Sequence, residues 1–405
     1  LSGCSLFKSD MMEDIDIYTT TYPINYLTRY LYGEHSTIYS IYPSGVNFKE
    51  YELSDKKLNE FAKSSLFVFD SLDIDRDYAV RMVNVNSNLK LIDSSMGMEY
   101  AYSIQELWLN PYNYLMMAQN IRNGLLEYIT NPYLISNKEK TGINDKYEEL
   151  QYSLSKLDAS YKEVFENARY DTVVSSSDAI KFLEKYGITV ISLDEDIREE
   201  IITNDNTLTA IVNKYGISSS VIFTYNNISE DDIKENMTIK IPIKTIDTSD
   251  VNKVKKLISD GKIKYIYSTD SESSSTVKSL IDTYNLTEII INSMYSVDGG
   301  IDNNNESYFT IMNDNLEEFK KEAEVIFLNI LQALGAIDFL NNLQVYKYIS
   351  KFLEDINANM KIIFDDKDYN FFTLHSIDVL KEINNYLDNN YISMQNRYYK
   401  ILYLF

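Results

Sequence analysis

Short apolar runs and periodic apolar segments alternate along the first third of the chain. The runs are rich in Ile, Val, Phe and Tyr, which is typical of strands, whereas apolar residues at every third or fourth position are typical of helices. The predicted strands are residues 15–20, 37–42, 66–70 and 89–93. The predicted helices are residues 24–31, 55–64, 74–83 and 113–128. This alternation favours βαβ crossovers and a mainly parallel sheet.

The most regular apolar pattern lies in residues 145–168. Its apolar positions, spaced by three and four residues, are Tyr147, Leu150, Leu154, Leu157, Tyr161, Val164 and Ala168. Asp145 and Glu148 match a capping box at the start of a helix. About 23 helical residues rise roughly 35 Å, close to the width of a domain. The helix is either a coiled-coil partner or an internal strut, and the strut is preferred because the heptads stop after about three.

A second set of alternating elements follows the long helix. Strands are predicted at residues 172–176, 189–193, 263–269 and 288–292, and helices at residues 178–186, 251–260, 274–284 and 313–323. The predicted fold class is therefore α/β, with two βα lobes on mainly parallel four-stranded sheets, bridged by one long helix.

Residues 194–248 interrupt this second set and have a pattern of their own. Residues 201–202 predict a strand, residues 207–216 and 218–226 predict two helices, and residues 237–241 predict a strand that stops at Pro242. The sequences T-L-x-x-I-x-x-x-Y-G-I, Y-N-N-I and M-T-I-K-I-P in this βααβ order resemble a LysM (lysin motif) module over residues 199–243. Asn236 stands where that family usually has glycine, and asparagine tolerates the left-handed conformation needed there.

The LysM resemblance implies shallow contact with glycans that contain N-acetylglucosamine, such as peptidoglycan. The contacting loops would be residues 205–207 and 228–231. The glycan-binding candidates are Asp205, Asn206, Thr207, Ile228 and Ser229. The module carries seven Asp and Glu residues against three Lys, which weakens its attraction to anionic wall polymers. A purely structural insertion is the alternative interpretation.

The overall charge and the single cysteine exclude several classes of protein. A net charge of −23 argues against nucleic acid as a partner, because no basic stripe can neutralise phosphates, and it favours a soluble monomer. Cys4 alone cannot form an internal disulfide. The segment Leu1-Ser2-Gly3-Cys4 resembles a bacterial lipobox followed by a polar tether. It implies an extracytoplasmic lipoprotein, anchored through lipid on Cys4; a chance tetrapeptide is the alternative.

Four further segments resemble the zinc/manganese class of solute-binding lipoproteins of ABC importers. They are YTTTYP at residues 18–23, PSGVNFKEYE at residues 43–52, ELWLNP at residues 106–111, and residues 175–186. The predicted division is a lipobox and tether (1–14), a first lobe (15–140), a linking helix (141–168), a second lobe (169–193 and 249–323), a LysM-like insertion (199–243) and a helical extension (324–405). Trp108, the only tryptophan, is predicted to pack in the core beneath the cleft.

The resemblance places the family's metal ligands on positions that mostly cannot bind metal here. Its two histidines fall on Lys49 and Glu106, its third ligand on Ser177 and its last aspartate on Asn292. Only Glu106 could ligate strongly, because a charged lysine has no lone pair to give. We expect the Lys49 ammonium to face the Glu106 carboxylate where the metal would lie. Ser176 or Ser177 is also a good N-cap for the helix that follows.

Other metal sets are limited. The two histidines, His35 and His375, lie outside the four segments, so no zinc set of His and Cys can be assembled. A carboxylate site for a harder ion stays open, with Glu106 joined by Asp270 or Glu272. No resident cofactor is expected, and a divalent metal such as zinc or manganese is the one candidate ligand.

The sequence thus predicts a cell-surface lipoprotein that resembles metal-binding importer subunits, has lost most metal ligands and is tethered to peptidoglycan. The alternative is a working binding subunit that delivers a divalent metal or another small solute to an ABC permease. No nucleophile–base pair, P-loop or metal-hydrolase motif appears, so the chain is not predicted to be an enzyme.

Overall fold

The computed structural model describes residues 14–43, 45–48, 51–128, 137–166, 168, 171–269, 273–295 and 307–333 of the 405-residue chain. The chain separates into two compact units, one of residues 1–159 and 170–318, the other of residues 160–169 and 319–405. Both βα lobes and the insertion belong to the first unit. Most of the predicted helical extension, Cys4 and the tether up to residue 13 lie outside the described residues.

The first lobe is a parallel sheet covered by helices. Its strands are β1 (Asp16–Thr19), β2 (Thr37–Ser40), β3 (Leu66–Phe69) and β4 (Lys90–Asp93), in the order β2-β1-β3-β4. Its helices are α1 (Tyr22–Tyr32), α2 (Asp55–Phe61), α3 (Asp75–Val85), the single turn α4 (Glu106–Leu109) and α5 (Pro111–Tyr128). All four residues of β3 are buried, as expected for an inner strand covered on both faces. The predicted strands and helices of this lobe are confirmed.

The long helix α6 (Asn137–Glu166) begins before its predicted start. Asp145 lies inside the helix, so the predicted capping box at Asp145 and Glu148 is wrong. Leu150, Leu154 and Leu157 are buried, which confirms the predicted apolar face. Tyr30 of the first lobe donates to Glu149, and Lys185 of the second lobe donates to Asp158, so α6 touches both lobes as a strut would.

The second lobe begins with β5 (Thr172–Ser175), a 3-10 helix (Asp178–Tyr186) and β6 (Thr189–Ser192). The insertion follows as β7 (Asp196–Ile201), α7 (Leu208–Tyr215), α8 (Ser219–Asn226), a 3-10 turn (Glu230–Asp232) and β8 (Thr238–Lys244). The lobe resumes with α9 (Thr248–Ser259), β9 (Tyr265–Thr269), α10 (Ser275–Tyr284), β10 (Thr287–Ile291) and α11 (Tyr308–Ala333). Its parallel sheet has the order β10-β9-β5-β6.

The elements of the second lobe agree with prediction in type and order, with two differences. The helix predicted at residues 178–186 is a 3-10 helix, and α11 begins at Tyr308 rather than at residue 313. The lobe's core consists of apolar residues from β5, β9, the helices α9 and α10 and the loops beside β6 and β9. They are Val174, Leu193, Val254, Ile263, Ile266, Val277 and Leu280.

The insertion is a βααβ unit with an antiparallel pair, β7 and β8. It has a small core of its own, formed by Ile202, Ile211, Ile222, Ile239 and Ile241. Asn236 adopts the left-handed conformation (φ 65°), as predicted. The prediction that the second strand stops at Pro242 is wrong, because β8 continues to Lys244. The register between β7 and β8 shifts next to Pro242. The strand pairing can therefore continue although proline has no backbone N–H to donate.

No helix among the described residues combines the length and the apolar content needed to cross a membrane.

Candidate functional site

The carboxyl ends of the parallel strands locate the surface where an α/β lobe usually binds its ligand. Ser177 follows β5 and Asn292 follows β10, while Glu106 opens α4 after β4. Three other predicted site residues, Lys49, Asp270 and the alternative Glu272, lie outside the described residues, as does His375. The facing of Lys49 and Glu106 therefore stays a prediction.

Glu106 is buried, and its carboxylate is engaged by the backbone of the loop just before it. The amides of Tyr102 and Ser103 donate to Oε1 at 2.6 and 2.9 Å, and the amide of Ala101 donates to Oε2 at 3.1 Å. Both carboxylate oxygens therefore hold the turn that leads into α4. This arrangement makes Glu106 a structural residue of the loop, because both oxygens of its side chain are hydrogen-bonded to the backbone.

Ser177 and Asn292 are also used by local structure. The Ser177 hydroxyl accepts from the amide of Ala179 at 3.2 Å, which confirms the predicted N-cap. The Asn292 side-chain oxygen accepts from the amide of Met294 at 2.9 Å, and its backbone pairs with the side chain of Asn315. Each of the side chains of Glu106, Ser177 and Asn292 is thus hydrogen-bonded to backbone amides within a few residues of it.

Three aromatic side chains from both lobes, Phe48, Trp108 and Tyr295, pack together; we call them the interlobe clasp. The ring centroids of Phe48 and Tyr295 are 4.4 Å apart, and Trp108 lies 6.2 and 6.1 Å from them. All three are buried, and Trp108 is only 1% exposed, which confirms its predicted place in the core. The first lobe thus contacts the second through packed rings.

Hydrogen bonds fix the clasp. Trp108 Nε1 donates to the carbonyl of Ser293 at 2.9 Å, and the Tyr308 hydroxyl donates to the carbonyl of Trp108 at 2.7 Å. Both partners belong to the second lobe. The polar atom of the indole and its own backbone are therefore satisfied across the interface, so the ring has one defined position.

Polar contacts join the same two lobes nearby. Lys185 Nζ donates to the side chains of Asn110 and Asp158, each at 2.7 Å. The ammonium of Lys181 lies 4.2 Å from the ring centroid of Tyr102. These contacts connect the loop around Glu106, the long helix and the 3-10 helix of the second lobe.

In the parts of the chain that the structure describes, no group of three or more His, Cys, Asp and Glu side chains could hold a metal ion. His35 packs against the ring of Tyr32, with centroids 5.0 Å apart. The described donors of the cleft therefore do not fit a metal as cargo without help from residues outside the described ranges.

Sequence reasoning missed two buried acids in the first lobe. Asp70 follows β3 and Asp75 opens α3, and both are 2% exposed. Burial raises the pKa of Asp75 to about 7, and the Tyr42 hydroxyl donates to its Oδ1 at 2.7 Å. Burial likewise raises the pKa of Asp70. An acid placed directly after a fully apolar strand was the signal that could have found Asp70.

The two connections that carry the predicted glycan-contacting loops, one between β7 and α7 and the other between α8 and β8, meet at one end of the insertion. Ile201, the last residue of β7, pairs with Thr238, the first residue of β8. The loop that leaves β7 and the loop that enters β8 are therefore neighbours, and Asn204 of the first donates to Glu235 of the second at 3.0 Å.

Polar contacts beneath these loops hold their shape. Asn206 Nδ2 donates to Glu200 Oε2 at 2.9 Å, while Lys214 and Tyr215 donate to Glu200 Oε1 at 2.7 and 2.5 Å. These bonds lower the pKa of Glu200 to about 2, with Lys214 as the largest cause. Sequence reasoning did not single out Glu200, because its three partners come together only after folding.

Some of the predicted glycan-binding residues stabilise the loops, and some are exposed to solvent. Thr207 caps α7 by accepting from the amide of Ala210, and Ser229 donates to Asp232 through both its amide and its hydroxyl at 2.8 Å. Asp205, Thr207 and Ser229 are exposed, whereas Ile228 packs against the insertion's core. The loops thus present exposed residues on a fixed backbone.

Lys244, the last residue of β8, ties the insertion to the second lobe. Its ammonium contacts the carboxylates of Asp178 and Asp194, the latter at 3.0 Å. Asp178 opens the 3-10 helix and Asp194 follows β6. A cavity of about 390 Å³ beside this contact is lined by both lysine and aspartate side chains.

Comparison with known proteins gives one family and many structural matches. Residues 17–240 match the family described as "ZnuA: Zinc-uptake complex component A periplasmic". No curated protein matches the chain.

Three solved structures illustrate the match. The Zn(II)-bound ZnuA-like domain of Streptococcus pneumoniae AdcA has a TM-score of 0.52 and 17% identity, covering 76% of this chain and 98% of that one. The metal-dependent lipoprotein YcdH of Bacillus subtilis has a TM-score of 0.53 and 16% identity, with 76% and 98% covered. Laminin-binding protein Lmb of Streptococcus agalactiae has a TM-score of 0.52 and 14% identity, with 76% and 99% covered. At these identities the likeness concerns the fold.

Proposed function

Because the chain belongs to the ZnuA family of periplasmic zinc-uptake components, we propose that it is an extracytoplasmic binding-protein scaffold whose metal cleft has been closed and whose insertion binds cell-wall glycan. Solute-binding proteins of this family are non-enzymatic, metal-binding parts of transporters that act with ABC permeases. In this proposal the chain has the fold and the location of those proteins, but it binds cell-wall glycan instead of a metal ion.

The interlobe clasp is the observation that carries the first half of the proposal. A cargo ion needs donors that converge on an open space. Here Phe48, Trp108 and Tyr295, each within three residues of one of the family's ligand positions, pack ring against ring instead. Glu106, the one strong donor among the family's ligand positions, already accepts three backbone amides. Using it as a metal ligand would compete with these three hydrogen bonds for the same two oxygens.

Calorimetry with Zn²⁺ and Mn²⁺ on the full, metal-stripped chain tests this half. The expected result is no heat of binding at micromolar protein. Micromolar binding that disappears in Glu106→Ala would instead support the second candidate, a working importer subunit for a divalent metal or another small solute. Family membership is the observation that favours that candidate. Glu99→Ala, which changes an exposed acid outside the clasp, is the matched control.

The second half of the proposal is that the insertion grips N-acetylglucosamine-containing glycan such as peptidoglycan, as its LysM-like sequence implies. Its βααβ order, its own apolar core and its two adjacent loops support this. Asp205, Thr207 and Ser229 are exposed on a backbone that Glu200 and Asp232 hold in place. A lipid on Cys4 would anchor the chain in the membrane at the same surface.

Sedimentation with purified peptidoglycan tests this half. The full chain should co-sediment, and a variant that lacks residues 196–244 should not. Because Asp196 and Lys244 are paired neighbours, the two cut ends can be rejoined without moving the lobe. The thermal unfolding of the shortened chain shows whether the lobes stay folded. Equal sedimentation of both proteins would leave the insertion with a structural role only.

A further inference from the structure

The cavity of about 390 Å³ beside Lys244 lies at an edge of the second lobe's sheet. β6 is the last strand of that sheet, and no described strand pairs with its outer side. All four residues of β6 line the cavity, together with the 3-10 helix and α9. These helices belong to crossovers that run in opposite directions along the sheet, so right-handed connections place them on opposite faces. A cavity walled from both faces, and by the strand between them, lies at the edge of the sheet.

The backbone of β6 has hydrogen-bonding groups on this outer side. The amides of Thr189 and Leu193 donate towards β5, at 2.6 and 2.7 Å. Alternate residues of a strand turn their N–H and C=O to opposite sides, so Val190 and Ser192 direct theirs away from β5. The amide of Val190 donates to Glu184 Oε1 at 3.2 Å. Ser192 is therefore the residue of β6 that can pair with an added chain.

The charged side chains around the cavity include one unpaired cation and one unpaired anion. Three lysines and four aspartates line it. Most of them are joined in ion pairs, one group around Lys244 and the other between Lys253 and Asp250. The remaining two, Lys181 and Asp247, take part in no ion pair of the described residues. A ligand with one positive and one negative group would complement them.

The two unpaired groups lie at different levels along β6. Asp247 directly precedes α9, which starts at the carboxyl edge of the sheet and runs back towards the amino end of β9. Lys181 comes three residues after the start of the 3-10 helix, which leaves the same edge, so it lies about 6 Å deeper. β6 itself spans about 10 Å, the length of roughly three extended residues.

We propose that the cavity binds a short extended peptide with free termini, which adds to β6 as an antiparallel strand. The peptide main chain pairs with Ser192, its terminal ammonium lies at Asp247 and its terminal carboxylate lies at Lys181. The direction is antiparallel because the unpaired anion is at the carboxyl end of β6 and the unpaired cation is deeper. The cavity volume lies in the range of about 300–1,000 Å³ that is usual for small-ligand sites. This inference does not depend on what the cleft or the insertion binds.

Trialanine, N-acetyl-trialanine and trialanine amide test the proposal on the unmodified full chain by isothermal titration calorimetry. Trialanine should bind, and each blocked peptide should bind about tenfold more weakly, because each has lost one charge-assisted hydrogen bond. Trialanine should also slow the hydrogen exchange of the Ser192 amide. The proposal is overturned by no heat with millimolar trialanine, by equal affinity for the three peptides, or by unchanged exchange at Ser192.

Two variants assign the termini. Lys181→Ala should weaken the binding of trialanine about tenfold and leave that of trialanine amide unchanged. Asp247→Asn keeps an acceptor for the amide of Ser249 at the start of α9, and it should weaken trialanine but not N-acetyl-trialanine. A variant that weakens free and blocked peptides equally overturns the assigned contact. Lys256→Ala, at an exposed lysine of α9 outside the cavity, is the control and should bind all three peptides as the wild type does. Thermal unfolding checks that each variant is folded.

Discussion

The interlobe clasp and the loops of the insertion use their side chains in opposite ways. In the clasp, Phe48, Trp108 and Tyr295 are buried against one another, and their backbone neighbours are hydrogen-bonded across the lobes. In the insertion, the loop is held by hydrogen bonds on its inner side, such as the one from Asn206 to Glu200, while Asp205 and Thr207 are exposed to solvent. Side chains that are buried against one another, as in the clasp, cannot contact a ligand. Loops whose backbone is held by hydrogen bonds on their inner side keep their outer side chains accessible to one.

Trp108→Ala should cause the largest loss of stability, because it empties the centre of the clasp and breaks the bond to Ser293. Truncating a fully buried aromatic residue costs about 3–5 kcal/mol. Urea unfolding, followed by circular dichroism, measures the change. Tyr112→Ala, at a residue that is 62% exposed, should change stability by less than about 0.5 kcal/mol. Equal losses in the two variants would show that the clasp does not hold the lobes.

Stability should fall as the pH rises from about 4 to about 7 because of Asp75. Its pKa is raised from 3.8 to about 7 in the folded chain, so the folded state keeps a proton that the unfolded state releases. The stabilisation is complete below the unfolded pKa and is lost as the pH rises through the folded one, by up to about 4 kcal/mol. Urea unfolding at pH 4.5 and pH 8 compares the wild type with Asp75→Asn. A wild-type slope in Asp75→Asn would contradict the assignment.

Ile211→Ala should unfold the insertion and leave the lobes intact. Ile211 is fully buried in the insertion's own core, and truncation there costs about 2–4 kcal/mol. Hydrogen exchange should accelerate within residues 196–244, while amides of β3 and β9 keep wild-type rates. Val221→Ala, at a residue that is 47% exposed, is the control. Faster exchange in the lobes as well would mean that the two regions do not differ in the way described.

Glu106→Ala should have the smallest effect on stability of the four, about 1–3 kcal/mol, because it leaves the amides of Ala101, Tyr102 and Ser103 without their acceptor. Glu106→Gln restores one acceptor oxygen and should recover part of the loss. Thermal unfolding measures both. If Glu106→Ala were as stable as the wild type, the carboxylate would be available for another role.

The apolar patterns predicted most of the fold, because the spacing of apolar residues along a segment indicates which of its faces is buried. Each run such as Leu66–Phe69 became a strand of the expected sheet. The start of α6 and the end of β8 were missed. Both depend on contacts outside the local pattern: α6 extends beyond its apolar stripe, and β8 passes Pro242 through a register irregularity.

The candidate site was less predictable than the fold. The position of Glu106 beside a buried tryptophan was visible in the residues, but its three amide donors depend on the backbone path of residues 101–103. The partners in the clasp, Phe48 and Tyr295, are far apart in sequence, and no local pattern joins them. Lys244 pairs with Asp178 and Asp194 for the same reason.

The pairing of Asp196 with Lys244 brings the entrance and the exit of the insertion side by side. A segment with adjacent ends can enter a surface loop in one genetic step without shifting the strands on either side of it. It can also be transplanted as a cassette into the same loop of a related lobe.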